Sequence, residues 1–320
     1  MNDMKTPKAK VALIAGPTAS GKSAVAIALA RALMDAGRGA VIINADASQV
    51  YADIPIISSA PSEAERADVR HALIGHIDAS DSYNAARWAA EAKTAVEEAL
   101  TAGITPILCG GSGLYVQTLL DGIAPIPDIA AKVRARVRSL PVARAHAELA
   151  RLDPQAAERI ASSDTTRVQR ALEVVSSSGR TLADWQSERG GGMGHAITLA
   201  PITLLPPRPW LHQRIEARFD AMMAAGALAE VVALVARRLD PTLPAMRAIG
   251  VRDLATYLRG EMALEEAISQ AKTASRQYAK RQYTWLRGQT PPEWPKNDAE
   301  LNNSDISNLA IILRDTLLTY

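Results

Sequence analysis

The chain has 320 residues, a formal net charge of +2 and 48% hydrophobic residues. It contains no run of about 18 apolar residues, and its start, Met1-Asn2-Asp3-Met4-Lys5, has no apolar stretch and an early acid. A membrane span, a signal peptide and a transit peptide are therefore not expected, and a cytoplasmic location is. Cys109 is the single cysteine, which excludes disulfide frameworks and cysteine-based zinc sites.

The first apolar run, Val11-Ala12-Leu13-Ile14-Ala15, predicts a buried strand. It leads into Gly16-Pro17-Thr18-Ala19-Ser20-Gly21-Lys22-Ser23, a complete G-x-x-x-x-G-K-[ST] loop, and then into an Ala-rich helix to about Met34. The glycines let backbone N–H groups turn toward a phosphate chain, the helix N-terminus adds partial positive charge, and Lys22 adds a full one. Strand–loop–helix order separates this match from an ordinary glycine-rich turn, so a di- or triphosphate ligand is expected. Further strands are expected over 40–45, 72–77 and 104–109, with helices over 23–36 and 84–102. That alternation predicts a parallel sheet covered on both faces.

The strand over 40–45 ends at Asp46. Three roles are open to this residue: a metal-associated carboxylate, a general base, or an Asx-turn residue starting the next loop. The strand over 104–109 runs into Gly110-Gly111-Ser112-Gly113. This is either a cleft edge, where backbone approaches a ligand beside the Ser112 hydroxyl, or a plain turn in which Ser112 caps a helix.

From Asp128 to Arg189 the pattern is helical only; Gly190-Gly191-Gly192-Met193-Gly194 and a strand over 197–205 follow. The order predicts a P-loop core over 1–125 and a helical insertion over 126–195 returning through a flexible glycine hinge. The second part of the core is expected over 196–290, with a loosely attached tail over 291–320. No acid occurs between Asp128 and Glu148 or between Glu266 and Glu293, and both gaps are rich in Arg and Lys. Clustered bases in a nearly neutral chain point to a polyanionic partner. Helical spacing places Arg134 with Arg138 on one face, and Lys272, Arg276 and Lys280 in one stripe. Tyr278 and Trp285, seven apart, read as core packing rather than base stacking.

Several motifs resemble the tRNA dimethylallyltransferase family, of bacterial type. They are the phosphate loop as worded here, Asp46-Ala47-Ser48-Gln49-Val50-Tyr51, Gly110-Gly111-Ser112-Gly113-Leu114-Tyr115, Arg167-Val168-Gln169-Arg170, Arg247-Ala248-Ile249-Gly250-Val251-Arg252 and Arg276-Gln277-Tyr278-Ala279-Lys280-Arg281-Gln282. The resemblance runs in order from about residue 10 to 290. It implies a P-loop NTPase-like α/β fold with an inserted all-helical subdomain, acting as a monomer. It also implies transfer of a dimethylallyl group from its diphosphate to N6 of adenine-37 in tRNA, beside the anticodon, with Mg²⁺.

Residue by residue, the resemblance implies Asp46 as base, Ser112 near the reacting amine, and Gly16 to Ser23 with Arg218 around the diphosphate. Ser23 would also touch the metal. The tRNA contacts it implies are Asp46, Ala47, Ser48, Gln49, Ser112, Arg134, Thr166, Arg167, Val168, Gln169, Arg170, Arg247 and Arg252. The chain departs from the family pattern at Ala60, where a lysine is usual, at Ser112, where threonine is usual, and at Pro55, commonly an acid. An adenylate prenyltransferase or a P-loop small-molecule kinase would share the phosphate loop but would not need the insertion or the basic segments. A non-catalytic RNA-binding module would need neither Asp46 nor an intact phosphate loop. ATP is the occupant the loop suggests alone; the resemblance points instead to the prenyl diphosphate.

Overall fold

The apolar run that opens the chain forms β1 (Ala9–Ala15), whose last five residues are buried, as a parallel strand covered on both faces requires. The computed structural model describes residues 8–319, and the reading of Met1–Lys5 lies outside them. In chain order β1 is followed by α1 (Lys22–Asp35), β2 (Ala40–Asn44), α2 (Glu63–Asp68), β3 (His71–Ala72), α3 (Ala85–Thr101), β4 (Thr105–Gly110) and α4 (Gly113–Asp121). Next come α5 (Ala131–Ser139), α6 (Val142–Leu152), α7 (Pro154–Arg159), α8 (Thr165–Ser178) and α9 (Leu182–Ser187). The remaining elements are β5 (Ile197–Leu204), α10 (Arg208–Ala224), α11 (Ala227–Ala236), α12 (Val251–Leu258), α13 (Leu264–Gln289), β6 (Lys296–Asn297) and α14 (Asn303–Leu318).

All six strands are parallel, in the order β3-β2-β4-β1-β5-β6. Ala12 of β1 lies opposite Ile107 of β4 and Ala200 of β5, so the loop after β1 leaves from the middle of the sheet. The loops after β2 and β4 leave beside it, at the strand ends where open α/β sheets bind ligands. The strand expected over 72–77 is only two residues long. Leu73 at φ +60° and Gly75 at φ +58° turn the chain there, and Ile77 returns to make a single bridge with Tyr51.

The tail expected to be loose is built into the fold. β6 extends the sheet beside β5, with Thr203 opposite Lys296. Ala310, Leu313 and Leu317 of α14 join Val25, Leu29 and Leu33 of α1 in one buried cluster. Asn302 and Asp305 cap α14 reciprocally, at 3.0 and 3.1 Å. The apolar positions 306, 310, 313 and 317 recur at helical spacing, a signal that the surrounding Asn and Ser residues mask.

Leu120–Met193 forms a second compact unit. Its helices bury Val137, Ala145, Leu149, Val168 and Leu172 against one another. Its two ends are paired: Ile123 and Gly190 exchange backbone hydrogen bonds at 3.0 and 3.2 Å. A side chain at Gly192 would collide with the Leu120 carbonyl. Gly190, the first residue of the run expected as a flexible hinge, is thus paired with Ile123. Among the described residues no single helix is long and apolar enough to cross a membrane.

Candidate active site

The phosphate loop is held from two sides. Gly21, at φ +94°, precedes α1 and takes a turn that side chains rarely adopt. The Thr18 N–H donates to Gln282 Oε1 at 2.8 Å, and Gln282 Nε2 donates to the Gly111 carbonyl at 3.0 Å. One buried amide from α13 therefore ties the phosphate loop to the loop after β4. Gly16 N–H adds a bond to the Gly110 carbonyl at 3.2 Å. The approach is close enough to require glycine: a Cβ at Gly111 would lie 2.6 Å from the Gly16 carbonyl oxygen.

Asp46 leaves β2 in an Asx turn. Its Oδ1 accepts the Ser48 N–H at 3.0 Å, and Asn44 Oδ1 accepts the Asp46 N–H at 2.9 Å. The turn role left open by the sequence is therefore present, but it engages only one carboxylate oxygen. Ser112 Oγ accepts the Ala47 N–H at 3.1 Å, which joins the loop after β4 to the loop after β2. Beneath them the Asn44 carbonyl accepts the Trp88 indole N–H at 2.8 Å.

A cavity of about 500 Å³ opens in front of the loop, with Lys22, Ser23, Asp46, Gln49, Arg214 and Arg218 among its walls. Arg218 donates to Thr18 Oγ1. Arg214, one turn earlier on α10, donates to the Ala19 carbonyl at 3.1 Å, and its guanidinium lies over the Trp210 ring. Burial lowers the Lys22 pKa below the ordinary lysine value, while the nearby Asp46 carboxylate opposes that shift. The same two influences act on Arg218.

A smaller pocket of about 50 Å³ shares Thr18, Asp46, Ser58 and Arg218 with this cavity; Ile57, Phe219, Met222 and Ile249 give it an apolar side, and Ser48 and Ser275 complete a mixed lining. Tyr278 also lines it, its hydroxyl pushed up to about 12 by burial and then by Asp46. It faces the site, where its spacing suggested core packing. Arg214, Gln282 and Tyr278 are site residues that the sequence left without a role. The four-residue spacing of Arg214 and Arg218 was the available signal for the first of them.

Residues 49–289 match the family model described as IPP transferase. The chain belongs to the IPP transferase family. A tRNA dimethylallyltransferase of Sphingopyxis alaskensis is 56% identical over 309 residues, covering 97% of this chain and all of that one (100%). One of Rhodospirillum rubrum is 45% identical over 320 residues, covering 97% of this chain and 96% of that one. The structure of the full-length tRNA isopentenylpyrophosphate transferase of Bacillus halodurans matches at 31% identity, 97% coverage of each chain and a TM-score of 0.70. A eukaryotic dimethylallyltransferase acting on tRNA matches at 30% identity and a TM-score of 0.73, over 87% of this chain and 70% of that one. The family resemblance and the P-loop-type α/β fold read from the sequence both hold.

In this IPP transferase the residues expected at tRNA divide by exposure. Within Leu120–Met193, Arg134 on α5 and Thr166, Arg167 and Arg170 on α8 are exposed, and Gln169 is half-buried. Val168 is a correction: it is fully buried in that unit's core with Leu149 and Leu172. Helix periodicity turns its side chain inward between two outward arginines, so it cannot offer RNA a side-chain contact. Arg136 pairs with Glu148 at 2.7 Å and Arg138 with Glu173 at 3.0 Å, whereas Arg134 and Arg170 have no ion pair among the described residues. In the sheet-bearing unit, Ala47 and Ser48 are half-buried, and the Gln49 amide is engaged by the Ser59 carbonyl at 2.9 Å. Arg247 and Arg252 are exposed. The stripe on α13 is interrupted, because Lys272 pairs with Asp220 and Arg276 with Glu216, each at 2.6 Å.

Proposed function

We propose that the chain transfers a dimethylallyl group from dimethylallyl diphosphate to N6 of adenine-37 in tRNA, releasing diphosphate. The observation that supports this most is the junction of two pockets. The cation-lined cavity at the phosphate loop suits a diphosphate, the apolar side of the adjoining pocket, Ile57, Phe219, Met222 and Ile249, suits a short hydrocarbon chain, and Asp46 lines both. A kinase site needs no apolar chamber beside its phosphates. The tRNA-modifying relatives support the nucleic-acid substrate.

An exocyclic adenine amine is a poor nucleophile because its lone pair is delocalised into the ring. The Asp46 oxygen not engaged by Ser48 is positioned to accept its proton as the new C–N bond forms. The allylic C–O bond breaks, and charge collects on the departing diphosphate beside Lys22, Arg218 and the Thr18 hydroxyl, which Arg218 holds in place before reaction. Ser112, held to the Asp46 loop, orients the amine.

Mg²⁺ fits this site. No cluster of three or more metal-ligating side chains occurs among the described residues. Mg²⁺, however, typically takes one or two protein oxygens and completes its shell with water and phosphate. The Ser23 hydroxyl at the cavity wall would supply one of those oxygens, and the ion would neutralise leaving-group charge.

Incubating the chain with dimethylallyl diphosphate and bulk tRNA, AMP or ATP in parallel tests the reading. Mass spectrometry should find the added group on tRNA adenosine alone; AMP modified at a comparable rate would move the assignment to the small-molecule class.

The exposed arginines on Leu120–Met193 give a second test. Removing an adenine from its stack costs a few kcal/mol, and contacts to the surrounding phosphates can offset that cost. Arg134, Arg167 and Arg170 replaced together by alanine should weaken tRNA binding and leave dimethylallyl diphosphate binding unchanged. The slope of log K against log salt should flatten by roughly 0.7–0.9 per lost phosphate contact. An unaltered slope in filter-binding titrations would identify these arginines as solvated helix surface.

A further inference from the structure

One part of the smaller pocket's wall, Ile57 and Ser58, belongs to a short turn, Ile54 to Ala60, that is fastened from outside the site. Within the turn, Ser58 N–H donates to the Ile54 carbonyl at 3.0 Å, and Ala60 N–H to the Pro55 carbonyl at 2.9 Å. Those bonds leave the N–H groups of Ile56 and Ile57 unused, and both point to α11. There the Glu230 carboxylate accepts them one on each oxygen, at 2.7 and 2.8 Å. Charge-assisted hydrogen bonds of this two-pronged kind fix orientation as well as distance. Arg237, just past α11, adds a second fastening by pairing with Asp53 and, at 2.7 Å, with Asp78.

The consequence falls on Ile57. It is buried (6% exposed) and forms part of the pocket wall. A Cβ added at Gly250 would meet Ile57 Cδ1 at 2.9 Å and Phe219 Cε2 at 3.2 Å, so the Gly250 backbone packs closely against the Ile57 side chain. The pocket that Ile57 and Phe219 help to line, about 50 Å³, has space on the order of four water molecules at about 10–15 Å³ each. That suits one branched five-carbon group.

On the reading of the site given above, we propose that Glu230 is a positioning residue that sets donor chain length, by holding Ile57 as the end wall of the prenyl pocket. Glu230 touches neither the diphosphate-facing wall nor the reacting atoms. Its removal should therefore act on which donor fits rather than on proton transfer.

The test uses the full chain with tRNA and either dimethylallyl or geranyl diphosphate, comparing kcat/KM for the two donors. The unaltered chain should prefer the shorter donor strongly. In Glu230→Ala the preference should fall by about tenfold or more, the scale on which hydrophobic pockets discriminate single carbons. Most of the change should appear as a higher kcat/KM for geranyl diphosphate, with KM for tRNA unmoved. Glu230→Gln, which keeps one carbonyl acceptor, should lie between. Ile57→Ala enlarges the wall without touching the carboxylate and should lower the preference too, so it decides the matter if Glu230→Ala fails to fold. An unchanged donor ratio in folded Glu230→Ala, or in Ile57→Ala, overturns the proposal. No transfer to tRNA by the unaltered chain overturns the reading of the site itself, and this proposal with it.

Discussion

Replacing Asp46 by asparagine should lower single-turnover prenyl transfer by about 10²–10⁴-fold, the usual contribution of a positioned general base, while tRNA affinity changes little. The prediction is sharp because asparagine can keep the structural half of the residue's work. The side-chain oxygen that accepts the Ser48 N–H at 3.0 Å has an amide equivalent, so the turn at the end of β2 can persist. What asparagine lacks is the capacity to take up a proton. Alanine at the same position removes both roles, and should also release the contact between Ala47 and Ser112 from its register. If Asp46→Asn reacts near the normal rate with both substrates saturating, Asp46 is a turn residue only and the proton goes elsewhere.

The parts of this site that could be read from the sequence are those fixed by local chain geometry. A strand, a glycine-rich turn and a helix lie in consecutive residues, so the phosphate loop from Gly16 to Ser23 and its neighbours β2 and β4 were recoverable from apolar runs and their ends. Gln282 was not recoverable, because it lies 264 residues from Thr18 and only the packing of α13 brings the two together. Glu230 is hidden for the same reason: nothing around α11 signals that its carboxylate meets two backbone N–H groups near residue 56. Val168 shows the opposite case: a resemblance carried over along contiguous residues includes every position of a motif, although on a helix one of them, Val168, turns into the core. The tail was misjudged on composition, which is blind to the spacing that lets Leu313 and Leu317 reach α1. The basic stripe on α13 failed because charge counting along one helix cannot see Asp220 and Glu216 on α10.

Lys22→Ala should raise the KM for dimethylallyl diphosphate and lower kcat together, the latter by about 10²–10³-fold, the scale seen when a preorganised donor to a developing oxyanion is removed. Two effects are expected because charge on the diphosphate is present in the ground state and grows as the C–O bond stretches. A cation beside it contributes to binding and contributes more at the transition state. The structure makes Lys22 hard to replace. Its side chain is buried, with Nζ 3.5 Å from the Pro17 carbonyl, and the neighbouring cations Arg214 and Arg218 are already engaged by Ala19 and Thr18. Arginine at position 22 should rescue little, since its planar fork needs more width than a compact ammonium at the start of α1. Steady-state kinetics with each substrate varied in turn decides the outcome. A defect confined to tRNA binding, with the donor's KM and the maximal rate intact, would mean that the phosphate loop holds some other ligand.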